Sequence, residues 1–136
     1  MIYVDTSVAL AHLLAEDRQP PGSLWDETLV SSRLLEYEIW TALNARGLGE
    51  SHGEAARWLI GHVAMLELSP SVLARALGAF PGPKAPRTLD ALQLASCAYL
   101  TEHGQGVALA SYDRRMNAVA RAMGIRLFDL ESPKKG

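Results

Sequence analysis

Five short apolar runs, "IYV", "TLVSS", "VAMLEL", "GVALAS" and "IRLFDL", recur along this chain, and the segments between them carry helical periodicity. Strands alternating with helices are the sequence pattern of an α/β fold built around a parallel sheet, because each helix returns the chain to start the next strand in the same direction.

After the first run, Val8, Leu10, Ala11, Leu13 and Leu14 line a helix that ends before the polar, Pro-rich loop "EDRQPPG". A helix from Arg33 to Arg46 carries Leu35, Ile39, Ala42 and Leu43 on one face, with Gly47 placed for a left-handed C-cap. Ser51 and Glu54 have capping-box spacing before "AARWLIGH". Ser69 followed by Pro70 starts a helix through "SVLARALGAF", and "PGPKAP" breaks the chain again. "RTLDALQLASCAYLTEHG" is apolar on nearly every side, which implies burial between other elements, and Gly104 closes it. "DRRMNAVARAMG" is the last helix. Residues 1–130 read as one domain and 131–136 as a short, loose polar tail.

At 136 residues such a domain buries roughly two-thirds of its unfolded surface in one core. A hydrophobic share of 49% and a net charge of −2 describe an ordinary soluble globular chain rather than a disordered, membrane-spanning or DNA-coating one. No basic stretch with an apolar run follows the N-terminus, and the expected location is cytoplasmic. Ten of the 13 basic residues are Arg, the side chain whose planar fork matches phosphate or carboxylate. The single Cys97, within "LQLASCAYL", fits a core position.

The acids carry the chemistry. In an open parallel sheet ligands bind beyond the carboxyl ends of the strands. Asp5 directly follows the first strand in "MIYVDTSVAL", and Asp113 follows the fourth by two residues in "ASYDRR". Glu38, three residues past Leu35 and four before Ala42, points within an apolar arc, and Glu36 sits at its edge. Asp90 falls in the first turn of the nearly all-apolar helix. Each has an ordinary explanation as well: Asp5 and Asp113 as helix caps, Asp90 as a first-turn acid favoured by the helix dipole, Glu38 as a side chain reaching solvent. One acidic site on one rim accounts for all four together. Carboxylates gathered in a half-buried place repel, and a divalent cation relieves that; an oxygen-only donor set suits Mg²⁺ or Mn²⁺, which serve phosphodiester hydrolysis.

Four stretches, "YVDTSVAL", "LLEYEIW", "TLDALQLASCA" and "ASYDRRMNAVARAMG", together resemble the PIN-domain nucleases, specifically the VapC-type toxins of bacterial toxin–antitoxin modules, over roughly residues 2 to 130. The resemblance implies a PIN-like three-layer α/β/α domain with a five-stranded parallel sheet and metal-dependent cleavage of RNA. On it, Asp5, Glu38, Asp90 and Asp113 are the catalytic acids, with Asp5, Asp90 and Asp113 on the metal. Glu38 is chosen over Glu36 because the family's Glu precedes a hydrophobic residue and because it lies deeper in the arc; Glu36, Thr6 and Ser111 would support the cluster from one step further out. Arg114, Arg115, Arg87 and Lys84 are the basic residues nearest the rim and the candidates for phosphate contact, with solvation as the plainer role for the first two. The resemblance further implies a homodimer, a structured RNA substrate such as tRNA or rRNA, and a cognate VapB-type antitoxin. For that partner we expect a groove taking an apolar helix and an Arg that plugs the acids.

Two other functions compete. An aspartate-based phosphotransfer domain also places Asp after its first strand, but "DTSV" lacks a second Asp two residues on, and "LELSP" ends the third strand without a phospho-accepting Asp. A non-catalytic module that keeps an acidic pocket to bind a partner is the other.

Overall fold

The computed structural model describes residues 1–131; the tail proposed for 131–136 therefore lies, Glu131 apart, outside the described residues. Five strands form one sheet: β1 (Ile2–Val4), β2 (Leu29–Ser32), β3 (Val63–Leu66), β4 (Ala108–Ala110) and β5 (Arg126–Leu127). All pairings are parallel, in the order β3-β2-β1-β4-β5. From the central β1 the chain winds outward to one edge through β2 and β3, then returns to the other side for β4 and β5. The winding reverses between β1 and β4, so a crevice opens beyond the carboxyl ends of those two strands.

Six α-helices cover the sheet: α1 (Thr6–Leu13), α2 (Leu34–Ala45), α3 (Gly53–Gly61), α4 (Pro70–Leu77), α5 (Thr88–Glu102) and α6 (Arg114–Ala122). Alternate strand residues divide the core between two faces. Ile2, Val4, Leu29 and Ala110 pack with Val8, Leu35, Ile39 and Leu59 from α1 to α3. Tyr3, Val30 and Leu109 pack with Leu94, Cys97, Met116 and Val119 from α5 and α6. The three layers follow directly. Residues Gln93 to Ala98 of α5 are buried without interruption, which is why that helix reads as apolar all round. Cys97 is a core filler, its thiol pushed up to about 12 by burial.

Local signals decide most ends. Ser69 Oγ accepts from the Val72 N–H at 3.3 Å with Pro70 in the first turn. Gly47 and Gly104 take φ of +70° and +84°, the left-handed closure expected of each. The Ser51–Glu54 capping box does not form: the N-cap of α3 is His52, and Ser51 Oγ instead meets Leu48 O and His52 Nδ1. "VAMLEL" and "IRLFDL" also pair over less than their apolar length, because β3 and β5 are edge strands with one neighbour each. A 3₁₀ turn at Gly22–Asp26 lies in the loop after α1 and buries Leu24.

Candidate active site

Asp5 leaves the end of β1 with its backbone N–H donated to Ala110 O at 3.0 Å, one step beyond the β1–β4 ladder. Its backbone is extended and it caps α1. Asp5 Oδ2 accepts from Ser7 Oγ at 2.7 Å, from the Ser7 N–H at 3.4 Å and from Ser111 Oγ at 2.8 Å. These bonds all fall on one oxygen, leaving Oδ1 for another ligand. The residue is only 6% exposed. Burial pushes its carboxyl above the usual aspartate range, the Ser7 and Ser111 hydrogen bonds oppose that, and the charge of Glu38 adds to the rise.

Glu38 approaches from α2. Its Oε1 accepts from Thr6 Oγ1 at 2.8 Å and from Gln93 Nε2 at 2.9 Å. Gln93 is itself buried on α5, and its Oε1 accepts from the Tyr3 hydroxyl and from Ser32 Oγ at 3.2 Å. Burial raises the Tyr3 phenol, so it stays a neutral donor. Sequence reading passed over Gln93. The available signal was a polar side chain three residues past Asp90 within an otherwise apolar stretch of helix, where a buried amide must find partners.

Asp90 lies in the first turn of α5 and is half-buried; burial raises its carboxyl, the charges of Asp113 and Asp5 add to that, and Arg87 opposes it. Asp113 is the N-cap of α6, with Oδ1 accepting the Met116 N–H at 3.0 Å. Its other oxygen accepts from Arg87 Nη2 at 2.9 Å, while Arg87 Nε reaches Asp90 Oδ2 at 3.3 Å. Ser111 Oγ also accepts the Asp113 N–H at 3.0 Å, tying that loop to Asp5. Capping and membership of the rim are therefore not alternatives for Asp5 and Asp113.

The remaining sequence candidates fall around this cluster at different depths. Glu36 pairs with Arg33 at 3.3 Å, and Arg33 also meets Glu67 at 2.6 Å, all on the outer surface. Arg115 donates from Nε and Nη2 to Ala85 O at 3.1 and 2.6 Å, tethering the loop before α5. Lys84, Arg114 and Arg115 line a cavity of about 310 Å³ with Pro83.

The donor set fits a hard divalent cation. Asp5, Asp90, Asp113 and Glu38 offer oxygen alone; the charge of Glu38 raises the proton affinity of Asp5, and the charges of Asp113 and Asp5 raise that of Asp90. Among the described residues no three His, Cys, Asp or Glu side chains close around one point tightly enough to ligate an ion by themselves. Mg²⁺ or Mn²⁺, content with one or two direct carboxylates and several waters, suits so open a rim better than Ca²⁺ or Zn²⁺. In this arrangement Arg87 supplies the positive charge between Asp90 and Asp113.

Among the described residues no helix is long and apolar enough to cross a membrane. No curated protein matches the chain at a significant level. The family model described as PIN domain matches residues 2–122, from the first residue of β1 to the last of α6, and the chain belongs to that family, whose members are generally metal-dependent nucleases.

Proposed function

We propose that this protein is a metal-dependent endoribonuclease of the VapC toxin type, cutting phosphodiester bonds in structured RNA such as tRNA or rRNA and silenced by a cognate VapB-type antitoxin. The observation that carries this reading is the placement of Asp5: a buried carboxylate at the sheet's reversal point, fixed by Ser7 and Ser111, its proton affinity raised by the charge of Glu38 while its own charge raises that of Asp90.

Asp5, Asp90 and Asp113 would hold Mg²⁺ or Mn²⁺. Such an ion, when bound, supplies charge stabilisation at the phosphoryl group and lowers the pKa of water. Glu38, oriented through Oε1 by Thr6 and Gln93, keeps Oε2 to take the proton of an attacking water. Ser111 and Ser7 hold Asp5 in one rotamer, and Glu36 steadies the start of α2 through Arg33. Arg114, Arg115, Arg87 and Lys84 are the side chains on hand for phosphates flanking the cut. Homodimerisation and an antitoxin segment that presents an Arg to the acids complete the reading.

The test is incubation of the purified chain with structured cellular RNAs, with and without Mg²⁺ or Mn²⁺, alongside Asp5→Asn and Asp90→Asn. Defined, metal-dependent cuts that both variants lose are the expected result. Full cutting by a nuclease-free preparation of Asp5→Asn sinks the mechanism. The Arg87 bridge favours one other reading, a non-catalytic acidic pocket, for which absence of Mn²⁺ binding at millimolar metal would speak.

A further inference from the structure

A second cavity, of about 620 Å³, opens beside the β4–α6 loop. Three guanidiniums, those of Arg18, Arg114 and Arg121, line it together with the aromatic rings of Tyr112 and Phe128. Asp129 and Glu131 stand at the same cavity. Its size is that of an ordinary small-ligand site.

Among the described residues, two buried side-chain polar atoms have no hydrogen-bond partner, the Tyr112 hydroxyl and Asn117 Oδ1. Both belong to residues of this cavity. Both atoms carry almost no accessible surface and stand closed off from the cavity, so what it offers a ligand is the guanidiniums, the aromatic rings and the carboxylates. Asn117 Nδ2 donates to Ser111 O at 2.9 Å, which ties α6 to the turn that borders the cavity. Arg18 lies 4.5 Å over the Tyr112 ring, a guanidinium plane of the kind on which unpaired bases stack.

The cavity and the acidic rim share one turn. Ser111 donates to Asp5, the Tyr112 N–H donates to Ser7 Oγ at 3.0 Å, and Asp113 meets Arg87, while Ser111 and Tyr112 also line the cavity. A strand whose phosphate lies at Asp5 has its neighbouring nucleotide within reach of Tyr112.

We propose that this cavity receives one unpaired nucleotide of an RNA strand adjacent to the phosphate positioned at the acids, its phosphate on Arg114 and Arg121 and its base against Tyr112, Arg18 and Phe128. The two carboxylates decide for a nucleotide over a bare anion: they repel phosphate alone but accept from base amino and imino groups or ribose hydroxyls. The inference rests on the nuclease reading only for which nucleotide is taken.

Binding of a fluorescein-labelled, mixed-sequence single-stranded RNA hexanucleotide, followed by anisotropy in EDTA across a salt series, tests it. Arg18→Ala and Arg121→Ala should each weaken binding by about fivefold or more. The Arg121 variant should also lower the slope of log affinity against log salt by about 0.7, the loss of one single-strand phosphate contact. Tyr112→Leu removes the ring while keeping an apolar side chain, so it should also bind more weakly. Nucleoside 5′-monophosphates should compete better than ribose 5-phosphate or inorganic phosphate. Wild-type affinity and slope in all three variants, or competition by inorganic phosphate as strong as by nucleotides, overturns the proposal. Asp5→Asn separates the two readings: if it stops cutting while the cavity variants bind RNA normally, only the cavity proposal falls. If it cuts like wild type while the cavity variants lose RNA, only the mechanism falls.

Discussion

Arg87 and Asp113, at the starts of α5 and α6, are joined at 2.9 Å, and the same guanidinium reaches Asp90 at 3.3 Å. One side chain thus brings positive charge, from within the chain, to two of the acids proposed to hold the metal.

Because the Arg87 side chain is 65% exposed, solvent screening keeps its competition with a cation modest. Arg87→Ala should bind Mn²⁺ tighter by about two- to fivefold, read by calorimetry at fixed salt, and the gain should shrink as salt rises. Weaker Mn²⁺ binding would show that Arg87 organises the acids rather than competing for them.

Gln93→Leu should be costly on two counts. It leaves the Tyr3 hydroxyl and Ser32 without their buried acceptor, a loss of about 1–3 kcal/mol in unfolding free energy. It also frees Glu38, so cutting should fall by more than the stability change accounts for. Denaturant unfolding checks the first, and a loss below about 0.5 kcal/mol would mean that water replaces the amide at little cost.

The acids make stability depend on pH in a defined direction. Asp5 and Asp90 have folded-state proton affinities raised above the ordinary aspartate value of 3.8. Between that value and the raised one the folded chain binds more protons than the unfolded, so their contribution is present in acid and is lost as pH rises through the folded value. Metal-free Asp5→Asn should therefore melt higher than wild type at neutral pH, and the gap should close on acidification toward the ordinary carboxylate range. A gap that widens in acid would contradict the direction of the shift.

Arg115 and Arg114 adjoin in sequence but differ in employment. Arg115 is spent on the Ala85 carbonyl, whereas Arg114 lines both cavities beside it. Arg114→Ala should reduce RNA affinity and its salt slope. Arg115→Ala should loosen the loop before α5, seen as faster hydrogen exchange there, with a smaller effect on RNA. Equal loss in the two variants would put both arginines on phosphate.

Much of this was legible in the chain because local and global signals agree. The apolar runs marked every strand, and Ser69–Pro70, Gly47 and Gly104 marked helix ends through constraints that tertiary packing did not override. Ser51–Glu54 failed because the turn from Leu48 to His52 engaged Ser51 first, a competition that spacing alone does not reveal. Asp5 and Asp113 stood out by position after a strand, yet their partners did not. Gln93, the Arg87 bridge and the Tyr112 cavity arise from contacts between elements 26 to 106 residues apart, and no periodicity encodes those.

The separation between Asp5 and Ser111 has a consequence in time. Asp5 leaves the ribosome well before β4 (one of the two strands that pair with β1), before the Ser111 that holds its carboxylate and before Asp113, which follow it by 103 to 108 residues. At roughly 5–20 residues per second of synthesis, the rim stays open for several seconds after its first member has emerged. A chain still on the ribosome, or one broken off before β4, carries Asp5 without its frame, so any power to cut arrives only once β4 and the start of α6 have emerged.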